Sequence, residues 1–375
     1  MQNNYLEMFG LTHEQTKILF SLQKELVEVD IKNEKKPVNR LIKAMWKNKW
    51  ERKMEAFMSL TSKSEVSTML SLKESSQQLA KFNERLPNET SLYLIMLELA
   101  LFVPYYPLVS KDSDEAENED LDETENKDLD EACKELKCKW CSETDIIKVM
   151  EVWAGNFGIK AGFVKKCREG YKSSVSSLAR GDMLKLILAG LAGALTLSLT
   201  AGFSATVIAP LFAAAGLTGA AAITSGLAAL GGGAIAAGGY GMAGGFAVIV
   251  GGGAIIGGGI GGAGYAMLAN SQYLTISQCA KFEVILKEVI LNYLNNLELA
   301  RNLIQQQRNT TNKLADMRLS MNNANGSKEL DESINVIKKA IEINEKNVIK
   351  AKEATEKPIK KEPFVDTVIG KIRGK

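Results

Sequence analysis

From residue 186 to residue 280 the chain carries no Asp, Glu, Lys, Arg or His, an uncharged run of 95 residues in a protein of 375. All 46 Lys and Arg and all 44 Asp and Glu therefore lie in the remainder, which is about one-third charged, against about a quarter for an ordinary soluble chain. The net charge of +2 names no partner by itself. A crossing of the hydrocarbon core takes about 20 apolar residues, so the run has length for two to four crossings. Its composition says of what kind. Of the 32 glycines 23 fall here, and glycine inside a water-soluble helix costs about 1 kcal/mol relative to alanine. In lipid, small residues instead let helix backbones approach and pack. Gly253, Gly257 and Gly261 form a four-residue ladder, and Gly233, Gly241 and Gly245 share a second stretch of that register with Ala237. The pattern predicts a transmembrane glycine-zipper block over 186–270.

Within the block, 186–209 reads as one span ended by Pro210, followed by segments over 211–230, 234–250 and 254–269 with glycine triplets between them. Two crossings fit equally if the triplets sit inside a re-entrant hairpin. Either even count returns both termini to one side. Lys165, Lys166, Arg168, Lys172, Arg180 and Lys185 precede the block, and the positive-inside rule then keeps the amino-terminal part cytoplasmic. The expected location is the inner, cytoplasmic membrane with both flanking domains on the cytoplasmic side.

The flanks read as helices throughout, so the expected fold class is all-α. Ile18, Leu19, Leu22, Leu26 and Val29 give a helix over about 13–30 after a capping box from Thr12 to Gln15. Others follow Pro37, cover about 64–85, and span 91–103, where an almost wholly apolar run is too short to cross a membrane and predicts a buried core helix. After the block, Phe282, Ile285, Val289, Tyr293, Leu297, Ala300 and Ile304 keep helical spacing to about 320. A turn at 322–326 precedes Leu330, Ile334, Ile337, Ile341, Asn344 and Val348, the seam of a coiled coil with one polar position. Such a pair makes an antiparallel hairpin or an oligomerisation stalk. The division is an amino-terminal helical domain (1–110), an acidic loop (111–132), a cysteine-containing connector (133–185), the block (186–270), a helical hairpin (271–356) and a basic tail (357–375).

Chemistry-bearing residues are few. His13 is the sole histidine, so a nucleophile–histidine pair or a multi-histidine metal site has one position to be built on, and no enzyme is expected. No cofactor is expected either. The acidic loop holds 12 carboxylates between 112 and 131, but Glu125 occupies the position where a calcium loop needs glycine. Gly259 to Gly264 match a dinucleotide-binding spacing without the preceding strand that binding requires. Cys133, Cys138, Cys141 and Cys167 read C-x4-C-x2-C…C, a spacing compatible with zinc, with redox regulation, or with inert thiols of a chain made in a reducing cytosol. Eight basic residues lie between 35 and 53, among them Arg40, Lys43, Lys47 and Lys53, interleaved with Trp46 and Trp50. Cations beside aromatic platforms are the ingredients of a site for a nucleotide or short single-stranded DNA. A solvated helix face with both tryptophans turned into the core produces the same pattern.

The order of soluble helices, a glycine- and alanine-rich apolar block and long amphipathic helices, over about 140–350, resembles the α-helical pore-forming toxins of the haemolysin E and haemolysin BL class. It differs in lacking a secretion signal and in its longer apolar block. It is also similar in plan to the membrane channel effectors of anti-phage systems of the Hailong type, and this resemblance implies a channel gated by a nucleotide or DNA oligomer. The expected function is a membrane-inserted homo-oligomeric pore or ion channel, a cell-death or anti-phage defence effector that depolarises the bilayer. The alternative is a membrane-tethered coiled-coil adaptor without conductance, recruiting a partner protein through 281–356.

Overall fold

The computed structural model describes residues 13–61, 74–75, 90–105, 128–129, 131–181, 183–184, 187, 272–320 and 324–356. The glycine block apart from Ile187, with its six named glycines, most of the helix expected over 64–85, most of the acidic loop and the basic tail lie outside the described residues. Every regular element described is helical and none is a strand. Among the described residues no helix is long and apolar enough to cross a membrane.

Helices α1 (His13–Asn33) and α2 (Pro37–Thr61) form an antiparallel pair. Proline suits the first position of α2, where its missing N–H has no intrahelical acceptor to lose. Ion pairs of Lys24 with Glu51 at 2.6 Å and Lys47 with Glu28 at 2.9 Å tie the two along their length. Between them Trp46 and Trp50 stack at 6.0 Å, with Phe20, Phe102, Tyr105 and Trp140 continuing the aromatic core.

Helix α3 (Thr90–Leu101) is the buried core helix its apolar run predicts, with Leu92 through Val103 all inside. Helix α4 (Glu143–Asn156) starts on Ser142, whose hydroxyl accepts from the Asp145 N–H at 3.2 Å, and Glu143 and Asp145 sit favourably at its positive end. Helix α5 (Phe163–Leu178) has no capping side chain of its own. The Glu151 carboxylate of α4 does that work, accepting from the Gly162 N–H at 2.9 Å and the Lys165 N–H at 3.0 Å.

The long helix expected after the block is broken. Helix α6 (Gln272–Val284) runs into a wider π-helical stretch, Ile285–Leu291, and the chain turns through Asn295 at φ 47° before α7 (Leu297–Ser320). The cause is the asparagine cluster at 292, 295 and 296: Asn tolerates the left-handed region, and the Asn296 side chain caps α7 by accepting from the Leu299 N–H at 2.9 Å. Of the turn expected at 322–326, residues 324–326 already belong to α8 (Ala324–Glu356).

Helices α7 and α8 are antiparallel, as the pairs Gln307–Asn344, Arg308–Glu345 and Arg318–Asp331 require. The seam residues Leu330, Ile334, Ile337, Ile341, Asn344 and Val348 are all buried, and the chain's own α6 and α7 cover them. Asn344 donates to Gln307 Oε1 at 3.2 Å, so the one polar seam position finds a polar partner inside.

The amino- and carboxy-terminal helices join through α6, packed on α5 and α8. At their contact Lys281 of α6 meets Glu98 of α3 at 2.6 Å, both side chains almost wholly buried. Burial pushes the Glu98 carboxyl above its ordinary value, against the pull of Lys281. Removing one partner of a buried pair strands the other charge, at a cost of about 3–5 kcal/mol, whereas apolar replacement of both is often neutral. Glu98→Ala and Lys281→Ala should each lower urea-unfolding stability by that amount, and Glu98→Leu with Lys281→Met should recover most of it. A double variant as unstable as the sum of the singles would contradict the pairing.

Candidate functional site

Two places in the fold concentrate features beyond packing. The first is the base of the uncharged run. The chain enters that run from α5 and leaves it into α6, and these two helices pack directly on one another. Gly170 of α5 lets α6 approach, since a Cβ there would stand 3.3 Å from Val284 Cγ2. Ser174 donates to Glu283 Oε2 at 2.6 Å, and Asn347 of α8 donates to the other Glu283 oxygen at 3.5 Å. Both ends of the uncharged run are therefore held on one helical body.

The second place is a cleft of about 880 Å³ where the end of α1, the start of α2, residues 136–142 and the first turn of α4 meet. Its floor is a polar network built on Asp30. Lys43 Nζ donates to Asp30 Oδ2 at 2.7 Å and pairs with Glu34 at 3.0 Å; Tyr105 donates to Asp30 Oδ2 at 2.6 Å, and the Cys141 N–H donates to Asp30 Oδ1 at 2.6 Å. Burial alone would lower the Lys43 pKa, but its hydrogen bonds to Asp30 and Cys141 raise it, so the ammonium stays charged. Tyr105 is pushed strongly upward by burial and by the Asp30 charge, which keeps its phenol a donor. The Lys36 N–H holds the Glu34 carboxyl down at about 2, assisted by Lys43. Partial burial pushes the Cys141 thiol up to about 11.

Of the expected ligand patch, Lys43 lines this cleft. The other positions are used elsewhere. Arg40 donates to the Glu34 carbonyl, Lys47 pairs with Glu28, and Lys53 lies further along α2. Trp46 and Trp50 are 0% and 1% exposed, so neither offers a face for a base to stack on; their apolar rings complete the α1–α2–α3 core. Exposed lysines come instead from both rims, Lys35 and Lys36 on one side and Lys137 and Lys139 on the other, and none has an ion pair among the described residues. Lys137 holds φ 49°, a left-handed conformation that sequence gives no cue for where no glycine stands.

The four cysteines of the zinc-like spacing do not converge. Cys133 and Cys138 hydrogen-bond to each other, Cys141 belongs to the Asp30 network, and Cys167 is buried in α5 with Glu151 and Glu288 as its charged neighbours. Among the described residues no group of three or more His, Cys, Asp or Glu is placed to hold a metal ion. Chemically, the cleft can attract an anion to its rims while the floor fixes its own charges. In comparisons with protein-family models, curated proteins and solved structures, nothing matches the chain.

The Glu34 shift sets a pH dependence. A carboxyl lowered from 4.5 to about 2 contributes stability that is present above 4.5 and lost as the pH falls toward 2. The thermal midpoint of Glu34→Gln should thus lie below that of the wild type at pH 6, with the gap closing by pH 2. An unchanged gap across that window would remove Glu34 from the network's energetics.

Proposed function

We propose that the chain is a membrane-active effector whose 186–270 block forms an oligomeric pore or ion channel, with the described helices as the body that carries and regulates it. One observation carries this reading: an uncharged, glycine-rich run of 95 residues is held at both ends by two helices that pack together. A run entering and leaving on one face needs an even number of crossings, and small-residue ladders supply helix association where lipid cannot. The basic residues before the block support, through the positive-inside rule, a body on the cytoplasmic side of the inner membrane. A single crossing would suffice for an anchor, and the length of the run exceeds that several-fold. On this reading an anionic regulator, a nucleotide or short single-stranded DNA, docks at the lysines of the cleft, because Trp46 and Trp50 have no exposed face.

Planar-bilayer recording of the purified full-length protein tests the pore. Discrete conductance steps are expected, and Gly257→Leu or Gly261→Leu, by wedging packed helices apart, should abolish them while leaving insertion intact. Inserted protein that stays silent with nucleotides and oligonucleotides added would favour the tethered adaptor instead.

A further inference from the structure

The floor of the cleft contains a chemical group that anion binding does not use. The short helical turn before residue 136 closes in a Schellman motif: the Lys137 N–H donates to the Lys134 carbonyl at 3.1 Å and the Cys138 N–H donates to the Cys133 carbonyl at 2.9 Å. In this motif the residue in the left-handed conformation, here Lys137 at φ 49°, folds the chain back so that the side chains four positions before it and one after it come into contact. That contact is ordinarily an apolar pair. Here both residues are cysteines, and their thiols hydrogen-bond.

We propose that Cys133 and Cys138 are a peroxide-reactive dithiol that oxidises to an intramolecular disulfide. Cys138 is half-buried and lines the cleft, so a small hydroperoxide reaches it, whereas Cys133 is buried beneath it. The hydrogen bond from Cys133 favours the Cys138 thiolate, and the nearby Lys43 ammonium adds to it against the opposing charges of Glu34 and Asp30. In the first step the Cys138 thiolate attacks one oxygen of the hydroperoxide; the S–O bond forms, the O–O bond breaks, and hydroxide leaves. In the second, Cys133 sulfur attacks the Cys138 sulfenic acid, the S–S bond forms, and the departing hydroxyl takes the Cys133 proton as water. Two thiols lose two electrons and one peroxide becomes two waters once the hydroxide is protonated. Cys141 is the nearby competitor, but its thiol donates to Glu34 at 3.3 Å and is held at about 11, where roughly one molecule in 10⁴ is thiolate at pH 7.

The test is brief treatment of the folded full-length protein with hydrogen peroxide, alkylation of remaining thiols, and peptide mass mapping. A Cys133–Cys138 crosslink is expected, with Cys141 alkylated normally and the fully buried Cys167 and Cys279 labelled only after denaturation. In Cys133→Ser the reaction should stop at a Cys138 sulfenic acid that a dimedone probe captures, and in Cys138→Ser peroxide consumption at the turn should fall at least about tenfold. Circular dichroism of each serine variant should match the wild type, separating lost chemistry from lost fold. A crosslink to Cys141, or oxidation of Cys138 no faster than of Cys141, would overturn the assignment.

Discussion

The ion pair of Glu98 with Lys281 is the contact on which the arrangement of the chain depends. It joins residues 183 positions apart, with the whole uncharged run between them, and it sits where water is excluded. An apolar contact at this point would tolerate many registers between α3 and α6. A buried ammonium and carboxylate tolerate few, because any slip leaves a charge without a partner. Fixing α6 on α3 also fixes it on α5, and so sets where the uncharged run begins and ends.

Around that pair the core of α6 is unusually polar. Glu98 Oε2 and Gln278 Oε1 are buried without a hydrogen-bond partner, while Thr275 reaches Ser333 at 3.3 Å. Each such atom forgoes a hydrogen bond it would have in water, at about 1–3 kcal/mol.

Much of this was legible in the residues. Apolar spacing gave α1, α2, α3 and the α8 seam, because a helix buries one stripe at a fixed period and the stripe survives in sequence. The glycine ladders and the missing charges gave the uncharged block its limits, though not its conformation. Apolar spacing runs on through Tyr293 and Leu297 and so hides the break between α6 and α7 that the three asparagines make. Trp46 and Trp50 show the ambiguity of a basic and aromatic pattern: at a spacing of four they share a helix face, and only the packing of Phe20, Phe102 and Tyr105 against them shows which way that face points. The Asp30 network joins distant positions, and no local rule connects Asp30 to Tyr105 or predicts a left-handed lysine; the cysteine spacing marks Cys133 and Cys138 but does not say which of its thiols meet.

Hydrogen–deuterium exchange of the full-length protein, with and without anionic phospholipid vesicles, addresses the central claim directly. The account predicts that vesicles strongly slow exchange across 186–270 while α1, α2, α4, α7 and α8 exchange as they do in buffer. Unchanged exchange in the uncharged run, or lipid protection appearing instead in the helices of the body, would contradict it.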